Sequence, residues 1–200
     1  MRIVVVNHLT LDGVMQSPGR ADEDTRGGFA HGGWAIERGS DETITRAVGD
    51  RMGQPECGML LGRRSYEDML ATWNERGGRF REGLNATHKY VASSSPETEL
   101  PWPHSTRLSG DVSAAVAELK EQPGGNLVVM GSGELVRSLL PHGLIDEFLL
   151  MVHPLLLGSG QRLFEHGDGV AELRLLSSTA TESGVVISAY ASPASPSPRP

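Results

Sequence analysis

The sequence contains one cysteine, Cys57, among 200 residues. A single cysteine excludes an intrachain disulfide, which is typical of chains kept in a reducing compartment, so we expect a cytoplasmic protein. Cys57 opens an apolar segment, and we interpret it as a buried packing residue rather than a nucleophile. No apolar run approaches the roughly 20 residues that cross a bilayer, and the N-terminal MRIVVVNHLTLDG lacks the pattern of a signal peptide. We therefore expect no membrane association.

Metal-ligand motifs and clustered positive charge are also lacking. The seven histidines show no H-E-x-x-H spacing and the sequence has no C-x-x-C motif, so we predict no metal site and exclude a zinc deaminase. The net charge of −7 argues against a general nucleic-acid binder, because contacts with phosphates require clustered Lys and Arg. A small anionic ligand remains compatible, since its site needs only a local positive potential.

What the sequence does have is an alternation of apolar segments with helical patterns, such as Tyr66, Met69 and Trp73 after the second segment. Alternation predicts a mostly parallel sheet covered on both faces, and a closing run of strands without helices predicts an antiparallel edge. We therefore predict an α/β fold, a three-layer α/β/α sandwich with a mixed, mostly parallel sheet of about eight strands. The predicted strands cover 2–8, 57–62, 88–95, 105–109, 126–131, 146–154, 171–179 and 184–191.

Two segments fall outside this alternation. The polar stretch 9–39 is long, and loops of that length are functional or disordered; we interpret it as a lid that closes over a bound ligand. The glycines that would let it move are Gly27, Gly28, Gly32 and Gly33. The Pro/Ser-rich segment 192–200 cannot form a core and is expected to be disordered. No repeat or boundary divides the rest, so 1–191 is predicted to be one domain.

Three predicted strands end in groups that suit an anion. Glycine at a helix start removes the side chain that would block an anion, and the unpaired N–H groups there carry the positive end of the helix dipole. Arginines grip oxygens in pairs, and serine hydroxyls add donors. Ligands of open α/β sheets bind beyond the carboxyl ends of the strands. The residues are Gly62, Arg63, Arg64 and Ser65 at the second strand, Ser93, Ser94 and Ser95 at the third, and Gly131, Ser132 and Gly133 at the fifth.

Three such strand ends predict a ligand with several separated phosphates. NADPH fits this description, because it carries a 2′-phosphate in addition to its pyrophosphate. The alternative is that each glycine only serves a tight turn. The two glycine junctions, 62–65 after the second strand and 131–133 after the fifth, contain neither the G-x-G-x-x-G fingerprint nor the G-x-x-x-x-G-K-[ST] loop. No standard motif therefore decides between the two interpretations.

The same segments resemble the dihydrofolate reductase fold. In that family GR-x-[TS]-[WY]-E, L-S-S and a GG-type turn bind NADPH, and this sequence has GRRSYE (62–67), ASS (92–94) and MGSG (130–133). It more closely resembles the branch related to the C-terminal reductase domain of the bifunctional riboflavin-synthesis deaminase–reductase. The segments LDGVMQSPG, HGGW, KYVASSS, VVMGSGELVRSLL and LIDEFLLMVHPLLLGSGQRLF occur in the order of that branch. The resemblance covers about 1–191.

This resemblance implies an NADPH-dependent oxidoreductase, frequently a homodimer. Such an enzyme transfers a hydride to a small heterocycle or to a carbonyl- or imine-like carbon. The resemblance places Asp12 and Gly13 near the nicotinamide and the substrate. It assigns cofactor phosphates to Gly62, Arg63, Arg64 and Ser65, the 2′-phosphate side to Ser93 and Ser94, and the pyrophosphate and nearby ribose to Gly131, Ser132, Gly133 and Leu135.

The sequence departs from the pattern of the family at two places. Dihydrofolate reductases place an acid in the first helix to hold the pterin ring; Glu37 and Asp41 correspond only loosely, and otherwise are a solvated charge and a helix-start acid. Riboflavin-pathway reductases tend to carry an acid just before their Gly-Gly turn, where this sequence has Met130. Met130 counts against a ribosylaminopyrimidine substrate, and because the sequence has a single cysteine we expect no deaminase partner in it.

Reduction of C=O or C=N needs a proton as well as a hydride. We select Asp12 as the candidate that orients the substrate or a water; alternatively it is the turn residue of LDG. Trp34 is the candidate for a wall of the substrate pocket, or else a core aromatic. His31 and His153 are interpreted as an exposed loop histidine and a structural histidine. A non-catalytic nucleotide- or flavin-binding protein on the same scaffold is the alternative to a reductase.

Overall fold

The computed structural model describes residues 1–36, 41–95, 97–165 and 170–192. Glu37 and nearly all of the Pro/Ser segment predicted at 192–200 lie outside these residues, as does the side chain of Trp73. No helix in the described ranges has both the length and the apolar character that a membrane span requires.

One sheet of eight strands forms the centre of the fold, with the order β4-β3-β2-β5-β1-β6-β8-β7. The strands are β1 Arg2–Thr10, β2 Gly58–Gly62, β3 His88–Ala92, β4 Ser105–Leu108, β5 Asn126–Met130, β6 Glu147–His153, β7 Arg174–Ala180 and β8 Val186–Ala191. Every pair is parallel except β6–β8 and β7–β8. The predicted mixed, mostly parallel sheet of eight strands is confirmed. Its antiparallel part comes from β8 alone, since β6 lies parallel to β1.

In the ranges that the structure describes, the helices that cover the sheet are α1 Glu42–Met52, α2 Arg63–Arg76, α3 Gly78–Ala86, α4 Val112–Glu121 and α5 Gly133–Leu139. Asp41 begins α1, where its carboxylate accepts a hydrogen bond from the backbone N–H of Thr43, and Asp111 begins α4 in the same way. The sequence did not predict α3. Gly77 precedes this helix and Gly78 is its first residue, both with positive φ, so the segment has the glycine pattern of a loop.

The side chains of β1 alternate between two helical layers. Ile3 and Val5 face a core that includes Val116 of α4 and Leu139 of α5. Val4 and Val6 face the other layer, where they contact a core that includes Ile44 of α1. On that same side Tyr66 of α2 and Leu84 of α3 are buried against Met59 and Leu61 of β2. The three-layer sandwich is therefore confirmed, and burial of each such side chain contributes roughly 1.5–3 kcal/mol.

The ladder between β2 and β5 is short, and this opens the carboxyl edge of the sheet. It joins Gly58 to Leu127 and Met59 to Val128, after which the two strands separate. The connections from β2 and from β5 lead in opposite directions across the sheet, so this is the place where its strand order reverses. Crevices in open α/β sheets form at such points, beyond the carboxyl ends of the strands.

Candidate functional site

A cleft of about 1460 Å³ runs along the carboxyl ends of β1, β2, β3 and β5. It extends from Asn7 and His8 on β1 to Ser113 on α4. All ten residues predicted to bind the cofactor line it: Gly62, Arg63, Arg64, Ser65, Ser93, Ser94, Gly131, Ser132, Gly133 and Leu135. The three strand ends that the sequence suggested as anion sites thus open into a single cavity.

Hydrogen bonds join the two glycine junctions across the gap between β2 and β5. The backbone N–H of Gly62 donates to the hydroxyl of Ser132 at 2.9 Å, and that hydroxyl donates to the Ser65 hydroxyl at 2.8 Å. A Cβ on Gly62 would lie 3.3 Å from the Ser132 oxygen, and one on Gly131 would lie 3.3 Å from the Ser65 oxygen. At Gly62 strand β2 no longer pairs with β5, so its backbone N–H on that side donates to the Ser132 side chain instead of to a strand.

The backbone around Ser132 is strained. Its φ of 57° and ψ of 49° are left-handed values, which cost a residue with a Cβ roughly 1–2 kcal/mol. Gly131 has a φ of 67°, and a Cβ on Gly133 would lie 2.7 Å from the sulfur of Met15. Strained backbone of this kind clusters at ligand sites. Glycine at 131 and 133 lets this turn pack closely against Ser65 and Met15 at the edge of the cleft.

Two arginines occupy the first turn of α2, where the helix dipole disfavours cations. Arg63 contacts Glu67 at 3.0 Å, and Arg64 contacts Glu134 at 3.1 Å. These pairs are exposed and contribute little to stability. The first turn of α2 contains no acid. An anion bound in the cleft would therefore reduce the repulsion between the two arginines and the positive end of the helix dipole.

Ser93 and Ser94 lie at the end of β3. The Ser93 hydroxyl is 2.6 Å from that of Thr98 and accepts a hydrogen bond from the backbone N–H of Ser95, which closes a tight turn. Ser94 and Arg63 also line a neighbouring hollow of about 730 Å³. The turn therefore brings a hydroxyl-rich strand end beside the first arginine of α2.

The segment between β1 and α1 lies against the cleft, and ion pairs hold it there. Arg20 binds the Asp68 carboxylate of α2 at 2.6 Å and also the hydroxyl of Thr72. Arg26 lies 3.6 Å from Glu134 of α5. Burial raises the pKa of Glu23, whose carboxylate accepts hydrogen bonds from the backbone N–H groups of Gly19 and Arg20.

The four glycines predicted as hinges of this segment differ in their surroundings. Gly27, Gly28 and Gly33 have positive φ. Gly32 is required by packing instead, because a Cβ there would lie 2.6 Å from the backbone oxygens of Arg20 and Ala21. The lid function remains a prediction.

Asp12 is not among the residues that line the cleft. Its carboxylate accepts hydrogen bonds from the Thr10 hydroxyl at 2.6 Å and from the backbone N–H groups of Leu157 and Gly158. The Thr10 bond is the main cause that lowers the pKa of Asp12. Gly13, with a φ of 81°, accepts a backbone hydrogen bond from Leu163. Both residues anchor the connection that follows β6, and the catalytic role assigned to Asp12 stays a prediction.

Trp34 and the two singled-out histidines also lie outside the residues that line the cleft. The indole N–H of Trp34 donates to the backbone oxygen of Gln16 at 2.7 Å, and its ring stands perpendicular to that of His153 at 5.2 Å. His153 is buried, whereas His31 is exposed with its ring near Phe29. Trp34 therefore packs behind Gln16, which lines the cleft, and does not reach the cleft surface itself.

Asn7 and His8 line the cleft, and the sequence reasoning missed both. The Asn7 side chain is buried, and within the described part of the chain its amide nitrogen Nδ2 has no hydrogen-bond partner. His8 Nδ1 lies 2.9 Å from Nε2 of His153. The signal that would have found them is the one applied to the other strands, namely polar residues at the carboxyl end of an apolar run.

The sequence model of the family described as RibD C-terminal domain matches residues 2–187. The chain belongs to this family. Two curated relatives in Bacillus subtilis (strain 168) are similar to this RibD-type domain. The uncharacterized protein YwjB is 36% identical over 86 residues, 43% of this chain and 49% of YwjB. The uncharacterized protein YyaP is 31% identical over 137 residues, 66% of this chain and 72% of YyaP. The aligned chain thus spans about half the length of YwjB.

Solved structures share the fold of this RibD-type domain. A Shewanella sp. PV-4 protein, provisionally named a riboflavin biosynthesis protein, has a TM-score of 0.67 at 18% identity, with 96% of this chain and 99% of that chain covered. A pyrimidine reductase-like protein of Corynebacterium diphtheriae has a TM-score of 0.63 at 13% identity, covering 96% and 91%. Dihydrofolate reductase of Enterococcus faecalis, complexed with NADP(H), has a TM-score of 0.61 at 13% identity and covers 96% of each chain. The dihydrofolate reductase-like fold is confirmed.

The described part of this RibD-type domain contains no group of three or more His, Cys, Asp or Glu side chains arranged to hold a metal ion. Cys57 is half-buried and burial raises its pKa, which disfavours the reactive thiolate. The cleft offers a ligand arginines, hydroxyls, carboxylates, the buried amides of Asn7 and Gln16 and the imidazole of His8.

Proposed function

We propose that this protein is an NADPH-dependent reductase that transfers a hydride to a small heterocyclic or carbonyl/imine substrate. The observation that carries the proposal is the hydrogen-bonded junction of Gly62, Ser65 and Ser132, which lies beside Arg63 and Arg64 in one cleft. Membership of the RibD C-terminal domain family supports it. So does the shared fold with a dihydrofolate reductase that was solved with NADP(H).

The residues of the cleft fit such a cofactor. A Cβ at Gly62 or Gly131 would crowd the Ser132 or Ser65 hydroxyl, so glycine at these positions lets the two turns approach each other beside the cleft. Arg63 and Arg64 would hold phosphate oxygens, with Ser94 on the 2′-phosphate side. When bound, NADPH supplies the hydride; the protein supplies its orientation and the charge that balances its phosphates.

The substrate end of the cleft is the part nearest β1. There Val6, Asn7 and His8 of β1 line the cavity, and Val48 of α1, which packs on the core that includes Val6, lines it too. In its described residues α1 contributes no carboxylate to the cleft, and Met130 stands before Gly131 where riboflavin-pathway reductases tend to carry an acid. Both features count against a protonated pterin or a ribosylaminopyrimidine, and they favour an uncharged acceptor.

We also propose that the protein is a cytoplasmic homodimer. Leu11, Leu156 and Phe164 are exposed by 67%, 68% and 40%, and all three flank the connection anchored by Asp12. Exposed apolar groups of this size gain free energy when a second copy covers them. Light scattering should give twice the mass of one chain, and L156D should return the mass of a monomer while NADPH still binds. A monomeric wild type would contradict this proposal.

The test of the function compares NADPH with NADH. Calorimetric titration should give a Kd for NADPH at least about tenfold lower than for NADH, because only NADPH presents a 2′-phosphate to Arg63 and Ser94. R63A and R64A should each weaken NADPH binding, and R63A should also reduce the preference. R46A is the matched control, since Arg46 pairs with Glu42 on the exposed side of α1. Equal binding of both coenzymes, unaffected by either arginine, would contradict the assignment.

Oxidation of bound NADPH by a panel of pterins, pyrimidines, small ketones and cyclic imines then tests catalysis. The alternative is a nucleotide- or flavin-binding protein without turnover. The position of Asp12 favours it in one respect, because the residue first selected for catalysis lies outside the cleft lining. Tight NADPH binding with no oxidation by any panel member, or flavin absorbance in the purified protein, would support that alternative.

A further inference from the structure

Two histidines meet at the substrate end of the cleft, on neighbouring parallel strands. His8 lies near the carboxyl end of β1, and His153 is the last residue of β6, where it pairs in register with Thr10. Nδ1 of His8 and Nε2 of His153 are 2.9 Å apart, and their ring centroids are 5.1 Å apart. His8 lines the cleft and His153 is buried behind it, with the edge of Trp34 against its ring.

This contact fixes which nitrogen of His8 a ligand can use. Nδ1 is engaged by His153, so Nε2 is the ring nitrogen left for a molecule in the cleft. One proton lies between the two rings, and its position decides whether Nε2 of His8 is a donor or an acceptor. When both nitrogens of His8 are protonated, Nδ1 donates to Nε2 of a neutral His153 and Nε2 can donate into the cleft; loss of the Nε2 proton leaves a neutral ring whose Nε2 is an acceptor. A histidine held in this way is suited to proton transfer.

The surroundings of His8 lower its pKa to about 4, mainly through burial and secondly through the neighbouring His153. From the segment before α1, the cleft receives Arg20, Asp22, Glu23 and Asp24, and from α2 it receives Asp68. Arg20 and Asp68 neutralise each other, and α1 adds only the apolar Val48 from its described residues. The remaining charged groups surround the predicted phosphate sites: Arg26, Arg63, Arg64, Glu67, Asp111 and Glu134.

We propose that His8 is the catalytic acid of the reduction and that His153 positions it. The inference rests on the proposed reductase function and adds the proton donor to it. Asp12 is engaged with Thr10 and Gly158 outside the cleft lining, and Asp68 is paired with Arg20. The carboxylate of Glu23 is held by the backbone N–H groups of Gly19 and Arg20, and His8 is the titratable side chain that β1 brings to the cleft.

The step is balanced as follows. The C–H bond at the reduced nicotinamide breaks, and its hydride forms a C–H bond at the acceptor carbon of C=O or C=N. The π electrons move to the oxygen or nitrogen, which takes the proton from Nε2 of protonated His8. His8 becomes neutral and recovers a proton from solvent. The sum is NADPH, one proton and the acceptor going to NADP⁺ and an alcohol or amine. A pKa of about 4 makes the imidazolium a strong acid but leaves roughly a thousandth of His8 protonated at pH 7, so the step should be fastest at acid pH.

The experiment uses H8Q and H153Q, with H142Q as the control because His142 is exposed on a turn away from the cleft. The substrate is whichever pterin, pyrimidine, ketone or cyclic imine the wild type reduces. Its single-turnover reduction by bound NADPH should slow about 100-fold or more in H8Q. The Kd for NADPH should stay within about twofold of the wild type in all three variants, since none of them touches the phosphate sites.

The pH profile separates catalysis from a structural role. Since His8 must be protonated, the wild-type rate should fall about tenfold per pH unit above its pKa. In H8Q this slope should disappear. H153Q removes the neighbouring imidazole that lowers the pKa of His8, so the fall should begin at higher pH. Proton NMR of the cofactor-free protein should show the same upward shift for the titration of the His8 ring.

Each outcome decides something. If H8Q keeps the wild-type rate and slope while NADPH binds normally, His8 is not the acid and the reductase function stands. If the His8 titration does not move in H153Q, the positioning role of His153 is wrong. If wild-type protein binds no NADPH, or binds it without any hydride transfer, the proposed function fails and this inference fails with it.

Discussion

The backbone N–H of Gly62 donates a hydrogen bond to the hydroxyl of Ser132 at 2.9 Å, although 70 residues separate them in the sequence. This bond joins the turn after β2 to the turn after β5 at the point where the two strands part. Two chain segments that each had the glycine pattern of an anion site therefore form one surface. The predicted cofactor site depends on this junction more than on either glycine alone.

Ser132 allows the hydroxyl to be tested separately from the backbone strain. S132A removes the hydroxyl and keeps a Cβ at a φ of 57°, whereas S132G removes the hydroxyl and relieves the strain. We expect S132G to be more stable than S132A by about 1 kcal/mol in urea unfolding. Both should weaken NADPH binding by about fivefold or more, because the junction loosens. S177A, on the exposed face of β7, is the control. Wild-type affinity in either variant would contradict the account.

Asn7 presents a buried amide that lacks a partner in the described part of the protein. Such a group costs about 1–3 kcal/mol unless a ligand satisfies it. N7L should therefore leave the free energy of unfolding unchanged or higher, while kcat/KM falls about tenfold or more. N126L is the matched comparison, since the buried Asn126 amide donates to the backbone oxygen of Arg51 at 3.0 Å and its loss should destabilise. Equal destabilisation by both variants would show that Asn7 already has a partner.

The buried position of Lys89 leads us to expect that the free energy of unfolding depends on pH, whatever the function of the protein. The side chain of Lys89 is buried on β3, where burial lowers its pKa to about 8, and its ammonium donates to the backbone oxygen of Pro103. Between about pH 8 and 10.5 the unfolded chain binds the extra proton, so the free energy of unfolding should rise with pH in that window. In K89M this contribution to the slope should be absent. Identical slopes in urea unfolding of the two proteins would contradict the lowered pKa.

The Arg20–Asp68 pair predicts how the segment over the cleft behaves. R20Q should free that segment from α2, so amide exchange in 16–26 should become faster and NADPH dissociation about tenfold faster. In the wild type, NADPH should slow exchange in 16–26. R46Q is the control, because the ion pair of Arg46 with Glu42 lies on the exposed side of α1. Exchange that is equally fast with and without NADPH would count against a lid.

The fold was largely predictable because its signals are local. The alternation of apolar runs and helical spacing predicted the eight strands of the sheet and, among helices α1 to α5 of the described residues, all except α3. Helix α3 was missed because Gly77 precedes it and Gly78 begins it. Packing rather than intrinsic propensity holds this helix, with Leu84 buried against β2. The parallel pairing of β6 with β1 was also missed, since no local pattern tells which neighbour a strand acquires.

The part of the site that lies at the carboxyl ends of predicted strands could be predicted from the sequence, and the rest could not. Polar groups after β2, β3 and β5 were found because parallel strands bring their carboxyl ends together. Asn7 and His8 escaped because they fell inside the predicted first strand and were taken as part of the sheet. The histidine contact depends on β6 lying beside β1 in a particular register, which sequence spacing does not contain.

A crystal structure of the protein with NADPH tests the central claim most directly. The account predicts phosphate oxygens within about 3 Å of donors at both Gly62–Ser65 and Gly131–Gly133, with the nicotinamide ring toward Asn7 and His8. An empty cleft with the coenzyme bound elsewhere, or phosphates that touch neither junction, would contradict it.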